Sequence, residues 1–274
     1  PNTIAVENLM KSGKVMMVNI AYRLGPLGFL STGDDIIPGN FGLKDQRLAL
    51  EWVHQNIRYF GGNEKKMLLS GFSAGGASVH LHMLSNKDLG SYVQVAASQS
   101  GCALNPWVIH AKPRERAFEL GRYLGCDTAQ NSSEILLQCL RSKSAKEIVS
   151  AVRYFLVFGY NPFSTFGPVV EAVHEEAFLS SSPKEIITSG NYSKIPWLLS
   201  YTAQDGGYNA AELLQKIPGN RDLIEVFNDR WYDLAPYALF YKDHKNTIEE
   251  LDDYSRFLKN KYMGKQEFSV DTYL

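Results

Sequence analysis

The chain holds 274 residues, 45% hydrophobic and 21% charged, enough for one large domain or two small ones with a substantial core. A formal net charge of −1 argues against a general electrostatic pull toward nucleic acid or anionic membrane. No apolar run approaches the ~20 residues of a membrane-spanning helix, and three cysteines are too few for a disulfide scaffold and lack zinc-ligand spacing.

The first apolar run, Val15-Met16-Met17-Val18-Asn19-Ile20, is stopped by Tyr22-Arg23-Leu24-Gly25-Pro26 and reads as a buried strand ended by a turn. From Asp45 onward, Ala49, Trp52, Val53, Asn56, Ile57 and Phe60 recur at helical spacing, and Gly61-Gly62 ends that helix. A strand over 67–70, a helix over 74–84, and strands over 92–97 and 195–200 complete the pattern. Strands alternating with helices predict an α/β fold, a mostly parallel sheet with helices on both faces. Ligands of such sheets sit outside the carboxyl ends of the strands, which singles out Ser73, residues 98–101 and Asp205. Repeats, low-complexity tracts and linker-like stretches are lacking, so residues 1–274 read as a single domain. The start at Pro1, with neither an initiator Met nor a signal-peptide pattern, reads as a fragment or a processed chain, and the domain as partial.

Cys126 and Cys139 enclose twelve residues rich in Asn, Ser and Gln, a polar loop open to a disulfide staple. Inside it lies the glycosylation sequon Asn131-Ser132-Ser133; Asn191-Tyr192-Ser193 is a second. A sequon inside such a loop points toward a secreted, extracellular protein, with Cys102 as the unpaired thiol.

Gly71-Phe72-Ser73-Ala74-Gly75 fits G-x-S-x-G directly between a predicted strand and a predicted helix, the context in which the motif marks a nucleophile. A serine there occupies a strained turn that lifts Oγ above the sheet, and the flanking glycines let backbone come close without a Cβ clash. The next amide, on Ala74, points at the oxyanion that develops during attack, helped by the positive end of the helix.

The stretch from Phe60-Gly61-Gly62-Asn63 through Ser70-Gly71-Phe72-Ser73-Ala74-Gly75-Gly76 resembles the active-site pattern of the type-B carboxylesterase/cholinesterase family. Upstream, Tyr22-Arg23-Leu24-Gly25-Pro26-Leu27-Gly28-Phe29 and Gly39-Asn40-Phe41-Gly42-Leu43-Lys44-Asp45-Gln46 resemble it in the same order. Gln99-Ser100-Gly101 and Asp205-Gly206-Gly207-Tyr208-Asn209 look like its insect β-esterase branch. The resemblance implies an α/β-hydrolase fold and cofactor-free, metal-free hydrolysis of small-molecule carboxylic esters by a Ser–acid–His triad. Ser73 would be the nucleophile and Asp205 the acid, in the chain order expected of this fold, with Glu171 as a competitor acid and Ser100 beside the site. It further implies a Cys126–Cys139 disulfide, an Arg23–Asp45 structural ion pair, and an acyl-pocket wall at Trp107, joined by Phe163 or Phe166. Cholinesterases carry a glutamate before the nucleophile where this chain has Phe72, so a choline ester is not the expected substrate.

Two family features are not in view. An oxyanion loop is expected about 80 residues before the serine, yet only 72 residues precede Ser73 and nothing like H-G-G-G lies between Pro1 and Lys14. A triad histidine is expected about 110 residues after the acid, and 69 residues follow Asp205. His54 sits on the 45–60 helix, His80 and His82 on the helix leading away from Ser73, and His110, His174 and His244 have no motif around them. The residues given are therefore not expected to turn over ester efficiently alone. The rival readings are a neuroligin-like adhesion protein, whose relatives lose the nucleophile, and a truncated inactive product. Oligomeric state is not legible.

Overall fold

The computed structural model describes residues 3–214 and 221–269. Strand β1 (Leu68–Phe72) pairs in parallel with β2 (Val95–Gln99), from Leu68 opposite Val95 to Phe72 opposite Gln99. On the other side of β2, strand β3 (Trp197–Ser200) is also parallel, with Ala96 opposite Trp197 and Gln99 opposite Ser200. Parallel neighbours need a crossover rather than a tight turn. The helix Ala74–Leu84 supplies the first, and the segment with the helices Pro113–Tyr123, Ser133–Arg141, Ala145–Ser150 and Pro183–Ser189 supplies the second. All three strands therefore end at one edge of the sheet, at Phe72, Gln99 and Ser200, as the α/β reading requires.

The helix Phe41–Asn56 buries Leu43, Gln46, Leu50 and Val53, a stripe at helical spacing. Leu43 packs with Ala77, Leu81 and Leu84 of the crossover helix and with Phe178, so the two helices share one apolar cluster. This helix begins at Phe41 rather than at the expected Asp45. The cause is Asn40, left-handed at φ 55°, whose side chain turns inward instead of capping. Its Nδ2 donates to the Val169 carbonyl at 2.8 Å and to Glu171 Oε1 at 2.7 Å, and its Oδ1 accepts the Val169 amide at 3.0 Å. A 3-10 turn, Ile57–Phe60, and left-handed Gly61 at φ 87° close the helix at its expected end.

A further apolar cluster joins Leu120, Leu136, Leu140 and Phe155 beside the Cys126–Cys139 disulfide, whose Cα atoms stand 5.8 Å apart. Cys102 is free and half-buried. Downstream, Phe227, Trp231, Leu234 and Leu251 join the helices Leu223–Asp229, Trp231–Ala238 and Ile248–Tyr262, and Trp231 Nε1 donates to the Ser255 carbonyl at 3.0 Å. Among the described residues no helix is long and apolar enough to cross a membrane.

One expected element is not formed. Residues 15–20 are irregular, and Val15, Met16, Met17 and Val18 are exposed. An apolar β-branched run is only a surface that suits a sheet; it becomes a strand when a neighbour completes its ladder. Among the described residues no strand pairs with the run, which lies along the Leu48–Trp52 side of the helix Phe41–Asn56, bordering an open groove.

Candidate active site

Ser73 stands between the last residue of β1 and the first of the helix Ala74–Leu84, with φ 55° and ψ −119°. Such a conformation costs a side-chain-bearing residue about 1–3 kcal/mol and persists only where its surroundings impose it. They do: the Ser73 amide donates to the Gln99 carbonyl at 2.8 Å, and the Ser73 carbonyl accepts the Ala77 amide at 3.0 Å. The turn is too tight for side chains around it. A Cβ on Gly71 would stand 2.2 Å from the Gly75 carbonyl carbon, and one on Gly101 would stand 2.0 Å from the Ser73 oxygen. Ser73 is exposed and its hydroxyl makes no capping bond. The Ala74 amide, at the first helical position, has no intrahelical acceptor, so a free donor lies beside a free hydroxyl at the positive end of a helix dipole.

Beneath this turn, Ser98 is buried. Its hydroxyl donates to the Gly76 carbonyl at 2.8 Å and accepts from Trp197 Nε1 at 3.0 Å, tying the helix start to β2 and β3. Ser100 is left-handed at φ 50°, and its amide donates to the Ser200 carbonyl at 2.7 Å, so it extends the sheet edge next to the nucleophile turn. His80 packs on Trp197 at 4.3 Å, and burial pulls its pKa down to about 4. Its Nδ1 accepts the Ala103 amide at 3.2 Å, which leaves the neutral ring with its proton on Nε2.

The two carboxylates considered for the acid differ sharply. Asp205 is exposed on the loop that follows β3 at the carboxyl edge, directly before the helix Gly207–Leu213, and its Oδ1 accepts Thr202 Oγ1 at 3.0 Å. Glu171 is buried and fully engaged. Oε1 accepts Asn40 Nδ2 at 2.7 Å and the Phe178 amide at 2.9 Å, while Oε2 meets Lys44 Nζ at 2.6 Å and His174 Nε2 at 3.2 Å. Among the described residues no histidine hydrogen-bonds Ser73 or Asp205. His82 pairs with Gln46 Oε1 at 3.0 Å and His110 with Ser164 Oγ at 3.1 Å, and burial, with a cationic arginine nearby in each case, pulls their pKa values down to about 3 and about 4. No group of three or more His, Cys, Asp or Glu among the described residues is arranged to hold a metal ion.

Trp107, carried on the loop beyond β2, meets Phe163 at 5.9 Å between ring centroids. Phe163 also stands 4.8 Å from Phe240 and 6.4 Å from Tyr160, and Tyr160 stands 6.3 Å from Tyr208 on the helix after Asp205. A belt of rings thus runs from the β2 side of the sheet edge to the β3 side. Phe166 is not part of it: its ring packs on Phe155 at 5.2 Å, in the cluster of Leu120 and Leu136. Tyr160, Tyr208 and Phe240 escape sequence reasoning, because no spacing links rings that meet only through the tertiary fold. The expected Arg23–Asp45 pair is formed, bidentate at 2.8 Å, and Asn131 and Asn191 are both exposed.

The profile described as "Carboxylesterase family" matches residues 1–273. Esterase-5A of Drosophila pseudoobscura pseudoobscura is 55% identical over 275 aligned residues, covering 100% of this chain and 50% of that protein. Esterase-5B of Drosophila miranda is 55% identical over 97% of this chain and 49% of its own length, and Esterase-5C of Drosophila persimilis is 54% identical over the same shares. The chain spans about half the length of the curated relatives it matches.

Proposed function

Because the chain belongs to the carboxylesterase family, we propose that the protein carrying it hydrolyses small-molecule carboxylic esters through an acyl-enzyme on Ser73. The observation that carries this reading is the strained, exposed Ser73 turn with the unpaired Ala74 amide beside it. In the proposed cycle Ser73 Oγ attacks the ester carbonyl and passes its proton to a histidine. The tetrahedral oxyanion accepts the Ala74 N–H, a donor of a kind worth about 10²–10³ in rate. Collapse expels the alcohol, which takes the proton back from the histidine. Water, activated by the same histidine, then attacks the acyl-serine and releases the acid.

Asp205 is the proposed partner of that histidine, accepting its second ring N–H so that one tautomer faces Ser73. The histidine itself is proposed to come from residues outside the chain given, as the greater length of the relatives allows. Retention of both Ser73 and Asp205 favours an enzyme over an adhesion protein on the same fold. Phe72, 69% exposed next to the nucleophile, favours an uncharged alcohol over a quaternary ammonium group. The disulfide and the exposed sequon asparagines Asn131 and Asn191 support an extracellular, glycosylated protein.

The test is Asp205→Asn in the complete protein. It should lower kcat for 4-nitrophenyl acetate by about 10³–10⁴ while leaving fold and substrate binding intact, the signature of a wrong tautomer. A loss smaller than about tenfold would remove Asp205 from the triad.

A further inference from the structure

Glu212 lies outside every motif that points to the chemistry, yet its carboxylate reaches back to the loop that bears Phe163. One oxygen accepts the Tyr160 amide at 2.9 Å, and the other accepts Asn161 Nδ2 at 3.0 Å. Four residues earlier on the same helix, Tyr208 sets its ring against that of Tyr160 at 6.3 Å. Residues i and i+4 share one helix face, so the helix that follows Asp205 docks on the 159–163 loop through both. Gly159 completes the seat: it is left-handed at φ 55°, and a Cβ there would stand 2.2 Å from Glu212 Oε1. Burial raises the Glu212 pKa above the ordinary carboxylate value, against the lowering effect of the two N–H donors. A partly buried carboxylate held by a main-chain amide and a side-chain amide is an anchor whose removal leaves those donors unpaired.

We propose that Glu212 is a positioning residue for the acyl side of the site, holding the 159–163 loop, and with it the Phe163 ring, at a set distance from the helix behind Asp205. The proposal rests on the ester-hydrolase reading, in which the belt of Trp107, Phe163, Tyr160 and Tyr208 borders the acyl group. The Phe163 ring has no polar atom to anchor it; its place is set by its contacts with Trp107, Tyr160 and Phe240 and by the anchored loop that bears it. The consequence is selectivity. A wall fixed by Glu212 discriminates acyl chains by length, and a wall released from it does not.

Glu212→Ala and Glu212→Gln are to be compared in the complete protein, with 4-nitrophenyl acetate, butanoate and hexanoate as substrates and a fluorophosphonate as label. Glu212→Ala should still be labelled to completion at Ser73 while its butanoate-to-acetate ratio of kcat/KM shifts by about tenfold, the scale at which pockets sense one or two methylenes. Glu212→Gln keeps an acceptor for the Tyr160 amide and a donor for a rotated Asn161, and its ratio should stay within about threefold of the parent's. Gly159→Ala crowds the carboxylate and also strains the left-handed turn of the same loop, so it loosens the seat while leaving Glu212 itself unaltered, and it should move the ratio in the same direction as Glu212→Ala. An unchanged ratio in both Glu212→Ala and Gly159→Ala overturns the proposal, as does an equal loss on all three esters. A parent protein that is neither labelled at Ser73 nor active on any ester is a distinct result: it overturns the hydrolase reading, and the proposal with it.

Discussion

Ser73, Glu171 and Asp205 illustrate what single residues do here. Ser73 is held by its main chain alone: its backbone is bonded on both sides while its hydroxyl makes no capping bond. Glu171 is the opposite case. Four donors surround it, and the Lys44 and Asn40 bonds tie the helix Phe41–Asn56 to the 169–178 segment. Glu171→Ala would leave Lys44 and Asn40 without their acceptor and should cost about 3 kcal/mol, the usual penalty for breaking a buried pair. Urea unfolding should record that loss, while the kcat of the protein that remains folded should match the parent's. A loss of kcat with stability unchanged would instead place Glu171 in the chemistry. The sequence favours Asp205 over Glu171, because a strand precedes Asp205 and the family motif surrounds it, while Glu171 has neither. The buried partners of Glu171, Asn40, Lys44, His174 and the Phe178 amide, come from distant segments and from its own loop and could not be read from spacing.

At the scale of elements, the strand–turn–helix unit around Ser73 was legible because its signals are local: a short apolar run, two glycines and a helical apolar stripe lie within a few residues. The disulfide was legible through family resemblance, and closing its loop of sequence separation 13 contributes about 3 kcal/mol by restricting the unfolded chain. The run at 15–20 misled for the reason that makes strands hard to read, since its hydrophobicity says nothing about whether a ladder partner is present. The start of the helix Phe41–Asn56 was hidden because Asn40 answers to Val169 and Glu171 rather than to its neighbours. The helix Ala74–Leu84 also carries an acid sensitivity. Burial lowers His80 to about 4 and His82 to about 3 from the ordinary 6.5. Below about pH 6.5 the unfolded chain binds protons that the folded helix refuses, so stability rises with pH there. It should be complete above about pH 6.5 and fall progressively toward about pH 4, before the folded-state imidazoles take up protons. A urea midpoint markedly lower at about pH 5 than at about pH 7.5 is expected; equal midpoints would mean that these rings are not held neutral.

For the molecule as a whole, parallel pairing is the decisive fact, because it brings the ends of β1, β2 and β3 to one edge. Ser73, Ser100 and the Asp205 loop follow those ends in turn, and the aromatic belt spans from the loop beyond β2 to the helix beyond Asp205. Order along the chain and the G-x-S-x-G signal foretold the first three. Of the belt, Trp107 and Phe163 are expected from the family resemblance, whereas Tyr160, Tyr208, Phe240 and Glu212 are not, because they come together only through segments distant in sequence. The central claim, that Ser73 is the acyl-accepting nucleophile, is tested most directly by treating the complete protein with a fluorophosphonate and locating the adduct by peptide mass spectrometry. The adduct should map to Ser73 and disappear in Ser73→Ala; an adduct on another serine, or undiminished labelling of Ser73→Ala, would contradict the account.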